Sequence, residues 1–92
     1  MTEIANGVRN NTALSRFELD ADGATAFVNY RIAGDTIVFT HTETPRALRG
    51  RGHATRLVEG AIVLSNGMNL KVIPGCSFVA DYMARNPAKH PA

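Results

Sequence analysis

The segment from Arg46 to Arg56, Arg-Ala-Leu-Arg-Gly-Arg-Gly-His-Ala-Thr-Arg, constrains the fold more than any other part of this 92-residue chain. It follows an apolar, strand-like run and opens an amphipathic helical pattern. Gly50 and Gly52 allow a tight turn, and a helix that starts just after them leaves several backbone N–H groups without intrahelical partners. With the helix dipole and the nearby arginines, these donors predict a phosphate-binding loop. Taken alone, the segment fits an arginine-rich turn before a solvated helix equally well.

The charge distribution favours a small anionic ligand over a nucleic acid. The net charge is only +2, below the basic excess that is typical of nucleic-acid-binding domains. Four of the ten basic residues fall within the loop segment, so the positive charge is local. Nucleic-acid binding through this arginine cluster is therefore less favoured than the binding of a small anionic ligand.

Length and composition predict one globular domain spanning residues 1–92. No apolar run reaches the roughly 18 residues of a membrane span, and the polar start Met1-Thr2-Glu3 does not resemble a secretory signal. Cys76 is the only cysteine, which agrees with a reducing compartment, so a cytoplasmic location is expected. Because no Cys, His and carboxylate cluster has metal-ligand spacing, no metal is expected either.

Before the loop, the pattern predicts three antiparallel strands that form a meander. They cover about residues 13–19, 24–32 and 36–42, after a tail or irregular strand at residues 1–11. Turn signals at Asp22-Gly23 and Gly34-Asp35 separate the three strands. One face of the second strand is predicted to carry Ala26, Val28, Tyr30 and Ile32. The continuous apolar run at residues 37–39 predicts a third strand in the middle of a sheet.

After Pro45 ends the third strand, a helix, a strand and a second helix are predicted. The first helix covers about residues 52–65 and stops at Asn66-Gly67. Gly60 costs this helix about 1 kcal/mol relative to alanine, which indicates a close approach to the sheet or to a ligand. The strand, residues 69–74, is expected to lie parallel to the third strand after a right-handed crossover. The last helix covers residues 77–85, before a loose tail at 87–92. Its side chains predicted to face the core are Phe78, Val79, Tyr82 and Met83.

Two common phosphate-binding motifs do not fit the loop. Gly50-x-Gly52-x-x-Thr55 lacks the third glycine of the dinucleotide fingerprint and follows an antiparallel meander. No Gly-Lys-Ser/Thr follows, so the loop is not a Walker loop.

The loop does resemble another pattern. Arg49-x-x-Gly52-x-Ala54 is similar to the Gln/Arg-x-x-Gly-x-Gly/Ala pattern of the GNAT superfamily of acyl-CoA-dependent N-acetyltransferases. A very short GNAT-like family of about this length is more similar still. Its pattern resembles three segments, His41-Thr42-Glu43-x-Pro45, Arg49-Gly50-x-Gly52-x-Ala54 and Pro74-x-Cys76-x-Phe78-Val79-Ala80-x-Tyr82. Arg16-Phe17-Glu18-Leu19 and Gly23 are also similar to it. The resemblance covers nearly the whole chain and implies an α/β fold of the α+β type, a minimal GNAT-like domain.

The resemblance also implies acetyl-CoA as co-substrate, with its pyrophosphate on the backbone N–H groups of the loop. The residues expected to form this site are Arg49, Gly50, Arg51, Gly52, His53, Ala54 and Thr55. Arg46, Arg51 or Arg56 would meet the 3′-phosphate as charges, although a solvated position suits Arg56 equally well. His53 is interpreted as a phosphate neighbour or a solvent-exposed residue.

Four residues are candidates for the chemistry, near the point where the family's sheet opens between the third and fourth strands. His41 and Glu43 share a face at i and i+2, so either is a candidate base; the alternative is a turn hydrogen bond for His41 and a helix or arginine partner for Glu43. Cys76 precedes a helix, which favours a nucleophilic thiolate, but an inert, buried thiol fits too. Tyr82 matches the tyrosine that protonates the CoA thiolate in many larger GNAT proteins, or packs in the core.

Together these features predict an acetyl-CoA-binding protein that transfers an acetyl group to a primary amine whose identity the sequence leaves open. The alternative is a non-catalytic acyl-CoA-binding or regulatory module with the same loop. The chain lacks the two helices that follow the first strand in larger GNAT proteins and shape the acceptor pocket. Its acceptor side is therefore expected to be open or completed by a partner.

Overall fold

The computed structural model describes residues 4–86, which form a six-stranded sheet with two helices packed on it. Residues 1–3 and the tail predicted at 87–92 lie outside the described residues. A short 3₁₀ turn, Arg46–Leu48, joins the last antiparallel strand to the first helix. The strands are β1 (Ile4–Ala5), β2 (Val8–Asn11), β3 (Arg16–Ala21), β4 (Ala24–Ala33), β5 (Thr36–Glu43) and β6 (Lys71–Pro74), and the helices are α1 (His53–Gly67) and α2 (Ser77–Arg85).

The strands follow one another across the sheet in chain order. The first five are antiparallel, and β6 pairs in parallel with β5 along Thr36–Phe39. The predicted α+β fold and the parallel pairing after α1 are therefore confirmed. The antiparallel part was predicted too short: residues 4–11 form two strands around an Asn6-Gly7 turn whose φ angles are 59° and 82°. The two strands have only two and four residues, and Asn6, Gly7, Asn10 and Asn11 make up half of residues 4–11, so this segment carries little periodicity.

The strand predicted at about residues 13–19 begins instead at Arg16, the first residue of β3, so its predicted start was wrong. Residues 12–15 form a turn in which Ser15 has φ 52° and Leu14 is exposed, because apolar Ala13 and Leu14 do not continue the alternation. The two later turns lie where they were predicted. Asp22 and Gly23 both have positive φ, 50° and 78°, as a two-residue hairpin turn of the primed type requires.

The two faces of the sheet differ in chemistry. The inner face contacts both helices. Helix α1 covers it with an apolar stripe at helical spacing, in which Leu57, Val58, Ala61 and Ile62 are buried and Ala54 is half-buried. Ile32 lies on this face as predicted, opposite the buried Ile37, but it is 48% exposed near the end of β4. The buried core consists of Val8, Phe17, Leu19, Ala26, Val28, Tyr30, Ile37, Phe39, Leu48, Leu57, Val58, Ala61, Ile62, Leu64, Val72, Val79 and Tyr82.

The outer face carries two polar rows that cross the strands. Register aligns Arg9, Glu18, Phe27 and Glu43 in one row, and Asn11, Arg16, Asn29 and His41 in the next. Glu18 is 3% exposed and accepts hydrogen bonds from Arg9, Asn11 and Arg16. Burial raises the pKa of Glu18, but these hydrogen bonds outweigh it, so that the pKa lies below its usual value. The outer face is thus a fixed network of charges beside the end of β5.

Helix α1 sits close to the sheet because residue 60 has no side chain. A Cβ atom at Gly60 would meet the Ala5 carbonyl oxygen and lie 2.6 Å from Cγ2 of Val8, which confirms the predicted close approach to the sheet. The helix ends differently from the prediction. Gly67 is its last residue, and Asn69, at φ 61°, takes the left-handed position. The N–H groups of Asn69 and Leu70 then donate to the carbonyl groups of Asn66 and Ser65, as in a Schellman motif.

Helix α2 has the predicted bounds, but its contribution to the core is smaller than predicted. Val79 and Tyr82 are buried, Met83 is half-buried and Phe78 is 38% exposed. The prediction of Phe78 as a core residue was wrong because its side chain borders a surface cavity. None of the helices within residues 4–86 combines the length and apolar character needed to cross a lipid bilayer.

Candidate functional site

The start of α1 offers backbone donors that no side chain caps. Gly50 and Gly52 have φ 77° and 78°, in the left-handed region that favours glycine. Gly52 is the N-cap, makes no side-chain cap hydrogen bond, and accepts the first helical bond from Arg56. The N–H groups of the first turn therefore have no intrahelical partners, and no acidic residue lies in that turn. The result is a local positive potential at the helix start.

A cavity of about 320 Å³ opens at this helix start. The buried side chain of Leu48 anchors the preceding turn, and Arg49 Nε donates to the Thr44 carbonyl at 3.0 Å, so both ends of the loop are held. The cavity is lined by Thr44, Leu48, Arg49, Gly50, Gly52, His53, Ala54, Thr55 and Phe78. The walls are mixed, apolar on Leu48 and Phe78 and polar along the loop.

The structure places all but one of the predicted loop residues in this cavity. The exception is Arg51, whose guanidinium lies 3.0 Å from Asp22 Oδ2 in the β3–β4 turn. Arg46 and Arg56 are exposed and do not line the cavity. His53 lines it, and its Nδ1 is buried with no hydrogen-bond partner among the described residues. Of the four arginines between residues 46 and 56, Arg49 is therefore the one that lines the cavity.

Strands β5 and β6 part next to this loop. Their pairing ends at Phe39 and Pro74, and the Gly75 N–H donates to the Phe39 carbonyl at 2.8 Å. Cys76 then caps α2, and its Sγ lies 3.3 Å from Oγ1 of Thr42, across the gap between the two chain segments. Sequence reasoning gave no role to Thr42. Its position between His41 and Glu43, on the opposite face of β5, was the available signal.

His41 and Glu43 lie on the outer face at the end of β5, together as their spacing predicts. His41 Nε2 is 3.6 Å from Glu43 Oε1, and both side chains are more than half exposed. Thr42, between them, is opposite Val28 and faces inward. The pair therefore projects from the face of the sheet opposite to the helices, whereas the cavity lies at the start of α1.

Tyr82 lies on α2, between one and two helical turns after Cys76. Its hydroxyl donates to Glu59 Oε2 at 3.0 Å, and Asn6 Nδ2 donates to the other oxygen of that carboxylate at 3.2 Å. Burial, together with the hydrogen bond and the negative charge of Glu59, raises the pKa of Tyr82 to about 12. Glu59 was missed from the sequence because an acidic residue on an amphipathic helix is normally a solvated one. Here it links α1 to α2 and to the β1–β2 turn.

A second, smaller cavity adjoins the first along α2. Its volume is about 190 Å³, and it shares Thr55 and Phe78 with the first cavity. Its remaining lining residues are Asp81, Tyr82, Arg85 and Asn86. No group of three or more His, Cys, Asp and Glu residues between positions 4 and 86 is arranged to hold a metal ion.

Comparison with protein families agrees with this geometry. A family model described as GCN5-related N-acetyl-transferase matches residues 16–91. The match runs from β3 through the loop and both helices, so it includes the two cavities and the gap between β5 and β6. The chain therefore belongs to the GCN5-related N-acetyltransferases, a family of acyl-transferring enzymes.

Proposed function

We propose that this protein binds acetyl-CoA at the first cavity and transfers the acetyl group to a primary amine. The observation that carries the proposal is the start of α1, which is uncapped, preceded by two left-handed glycines, and open to a cavity beside the gap between β5 and β6. Free backbone donors at a helix N-terminus suit a pyrophosphate, and no acidic side chain in the first turn opposes it. The residues proposed to bind the pyrophosphate are Arg49, Gly50, Gly52, His53, Ala54 and Thr55.

Acetyl-CoA supplies an activated thioester carbonyl. In the transfer, the amine nitrogen forms a bond to the acyl carbon, the carbon–sulfur bond breaks, the amine gives up a proton, and the CoA sulfur leaves as a thiolate that takes up a proton. Glu43 is the proposed base, with His41 as its partner or as the relay to solvent. Because this pair lies on the outer face, the amine approaches from the side opposite the donor cavity.

Cys76 is the proposed site of a covalent route. Its thiol lies at the gap, beside the Thr42 hydroxyl and at the start of α2. Attack by its deprotonated sulfur would break the acyl carbon–sulfur bond of acetyl-CoA, release CoA and form a thioester on Cys76. An amine would then cleave that thioester, which gives the amide and restores the cysteine thiol. Tyr82 remains the residue predicted to protonate the leaving CoA thiolate. Its hydroxyl is committed to Glu59, so that the geometry supports this role less than it supports the roles of Glu43 and Cys76.

The test is incubation with labelled acetyl-CoA and a panel of primary amines, followed by intact mass measurement of wild type and Cys76→Ala. Acetylated amine with both proteins supports direct transfer. A mass gain of one acetyl group that Cys76→Ala abolishes supports the covalent route. Binding of acetyl-CoA without transfer to any amine would overturn the enzyme assignment.

A non-catalytic acyl-CoA-binding or regulatory module is the second candidate. The observation in its favour is the solvent exposure of His41 and Glu43, 59% and 57%, since a base is more effective in a site that excludes water. The same incubation separates the two functions, because a binding module retains the ligand and releases no acetylated amine.

A further inference from the structure

We propose that Thr42 is a positioning residue for the covalent route: its hydroxyl holds the sulfur of Cys76 in the gap between β5 and β6 and stabilises that sulfur as a thiolate. The inference rests on the proposed function and deepens it, because it assigns a role to a residue outside the four candidates predicted for the chemistry. The contact that carries it joins Thr42 Oγ1 to Cys76 Sγ, and the two atoms lie 3.3 Å apart.

A β-bulge in β5 turns Thr42 toward this contact. The pairing of β5 with β4 shifts register between Phe39 and His41, so Thr40 is an extra residue without a partner on β4. Phe39 and Thr42 therefore both face inward, although three positions separate them. In a regular strand, alternation would turn His41 inward and Thr42 outward. The bulge thus places the Thr42 hydroxyl on the side of the sheet where Cys76 packs against the core.

The chain just before Cys76 is attached to the same strand. The Gly75 N–H donates to the Phe39 carbonyl at 2.8 Å, and a Cβ atom on Gly75 would lie 2.7 Å from that carbonyl oxygen. Because glycine has no Cβ atom, it allows this close approach to β5. Backbone contacts therefore hold both partners, Thr42 through its strand pairing and Cys76 through Gly75.

The thiol of Cys76 is directed to Thr42 and not to the helix that it precedes. Cys76 is the N-cap of α2 but makes no side-chain cap hydrogen bond. Either atom of the contact can be the donor while the thiol is protonated, whereas only the Thr42 hydroxyl can donate once the sulfur is ionised. Cys76 is half-buried, so water surrounds its sulfur only in part, and a hydrogen bond to the ionised form favours that form.

The Thr42 hydroxyl takes no part in the bond changes of the covalent step. The Cys76 thiol first gives its proton to solvent. The thiolate sulfur then forms a bond to the acyl carbon of acetyl-CoA, the bond between that carbon and the CoA sulfur breaks, and the CoA thiolate takes up a proton from solvent. Thr42 keeps its own proton throughout, so its hydroxyl orients and stabilises the nucleophile without reacting.

The experiment uses the fact that Cys76 is the only cysteine of the chain, so a thiol reagent reports on this sulfur alone. It measures the rate of alkylation by iodoacetamide at neutral pH, without ligand, for wild type, Thr42→Val, Thr42→Ala and Thr42→Ser. Thr36→Val is the matched control, because Thr36 lies at the other end of β5 and its hydroxyl donates to the Ala33 carbonyl. Thermal unfolding shows which variants are folded, and the two variants without a hydroxyl replace each other if one is not.

Thr42→Val and Thr42→Ala should slow alkylation by about two- to tenfold, the usual contribution of one hydrogen bond. Thr42→Ser should keep the wild-type rate, because the hydroxyl and not the methyl group acts on the sulfur. Thr36→Val should keep it too. Incubation with acetyl-CoA without an amine should add one acetyl group to Cys76, and intact mass should show a similar slowing in Thr42→Val with unchanged affinity for acetyl-CoA.

Three results would overturn the inference. Alkylation of Thr42→Val and Thr42→Ala at or above the wild-type rate removes the effect of the hydroxyl on the sulfur. Slow alkylation of Thr42→Ser assigns the effect to packing of the methyl group. Both results leave the proposed function standing. If the alkylation rates are as expected but wild type gains no acetyl group on Cys76, the covalent route of the proposed function fails, and the role of Thr42 fails with it.

Discussion

The two sides of the proposed reaction site are built from different parts of the chain. The donor side is made mainly of backbone: left-handed glycines, an uncapped helix start and a cavity enclosed by buried anchors such as Leu48. The acceptor side is made of side chains, His41 and Glu43, that stand on the outer face in contact with solvent. The proposed donor side is therefore a preformed cavity, whereas the proposed acceptor side presents exposed side chains without an enclosing wall.

Under the proposed function, the two sides make different demands on the chain. Backbone donors are fixed by the helix and cost no side-chain ordering when a phosphate binds. The proposed base, Glu43, is exposed, so it would act on whatever amine reaches the end of β5. Substitutions on the two sides should consequently separate binding from turnover.

The largest effect is expected for Glu43→Gln, which removes the proposed base from the acceptor side. Transfer should slow by about 100- to 10,000-fold, the usual contribution of a general base, whereas acetyl-CoA affinity should stay at the wild-type value. Steady-state transfer rates together with titration calorimetry measure both quantities. The matched control is Asp35→Asn, an exposed carboxylate in the β4–β5 turn at the opposite end of β5. A wild-type rate in Glu43→Gln would remove Glu43 as the base.

The next effect is on the scaffold that holds the donor side. Gly60→Ala should destabilise the protein by about 3 kcal/mol, because the added methyl group meets the Ala5 carbonyl and Val8. Gly67→Ala, an exposed glycine in the last turn of the same helix, should be neutral or slightly stabilising. Urea unfolding of both variants gives the comparison. Equal stabilities would contradict the close seating of α1 on the sheet.

A smaller effect separates backbone strain from ligand binding. Gly52→Ala should cost about 1 to 2 kcal/mol, since residue 52 has φ 78° and nothing obstructs a Cβ atom there. Gly34→Ala, with φ 60° in the β4–β5 turn and equally open space, should cost a similar amount. Only Gly52→Ala should weaken acetyl-CoA binding in calorimetry. Equal affinity in the two variants would place the phosphate site elsewhere.

The smallest effect concerns Tyr82, which links α2 to α1. Tyr82→Phe should cost about 1 kcal/mol by removing the hydrogen bond to Glu59, with transfer rates near those of wild type. A loss of turnover without a loss of acetyl-CoA affinity would instead restore Tyr82 as the acid.

The alkaline stability of the protein provides a second readout for Tyr82. Its folded pKa of about 12 lies above the ordinary value of 10.0, so the folded state holds the proton more tightly than the unfolded state. Stability is therefore expected to be full below pH 10 and to fall between pH 10 and 12. Tyr82→Phe should lessen this fall, and Tyr30, whose pKa is also raised by burial, accounts for a remaining part. Unfolding followed across this pH range checks the prediction.

Much of the fold was accessible from sequence because local signals agreed with the final arrangement. The turns at Asp22-Gly23 and Gly34-Asp35, the apolar stripe of α1 and the bounds of α2 all rest on short-range patterns. Strands β1 and β2 were hidden because they have only two and four residues and surround an Asn6-Gly7 turn, too short a segment for a periodic pattern. Asn69 replaced Gly67 as the left-handed residue because the helix continues through the predicted stop.

The candidate site also has a part that local sequence patterns predict and a part that they do not. The loop was visible because glycine spacing and a helix start are sequence features, and the backbone of that loop borders the cavity. The partners of Arg51, Tyr82 and Thr42 depend on residues between 23 and 34 positions away, so no local pattern indicated them. Side-chain roles therefore required the assembled structure, whereas the donor loop did not.

The measurement that tests the central claim most directly is thermal unfolding of the full chain with and without CoA. If the start of α1 holds the CoA pyrophosphate, CoA at about 100 times its dissociation constant should stabilise the protein by roughly 2.7 kcal/mol. For a domain of this size, that corresponds to a rise in melting temperature of about 10 °C or more. An unchanged melting temperature at saturating CoA and acetyl-CoA would contradict the account.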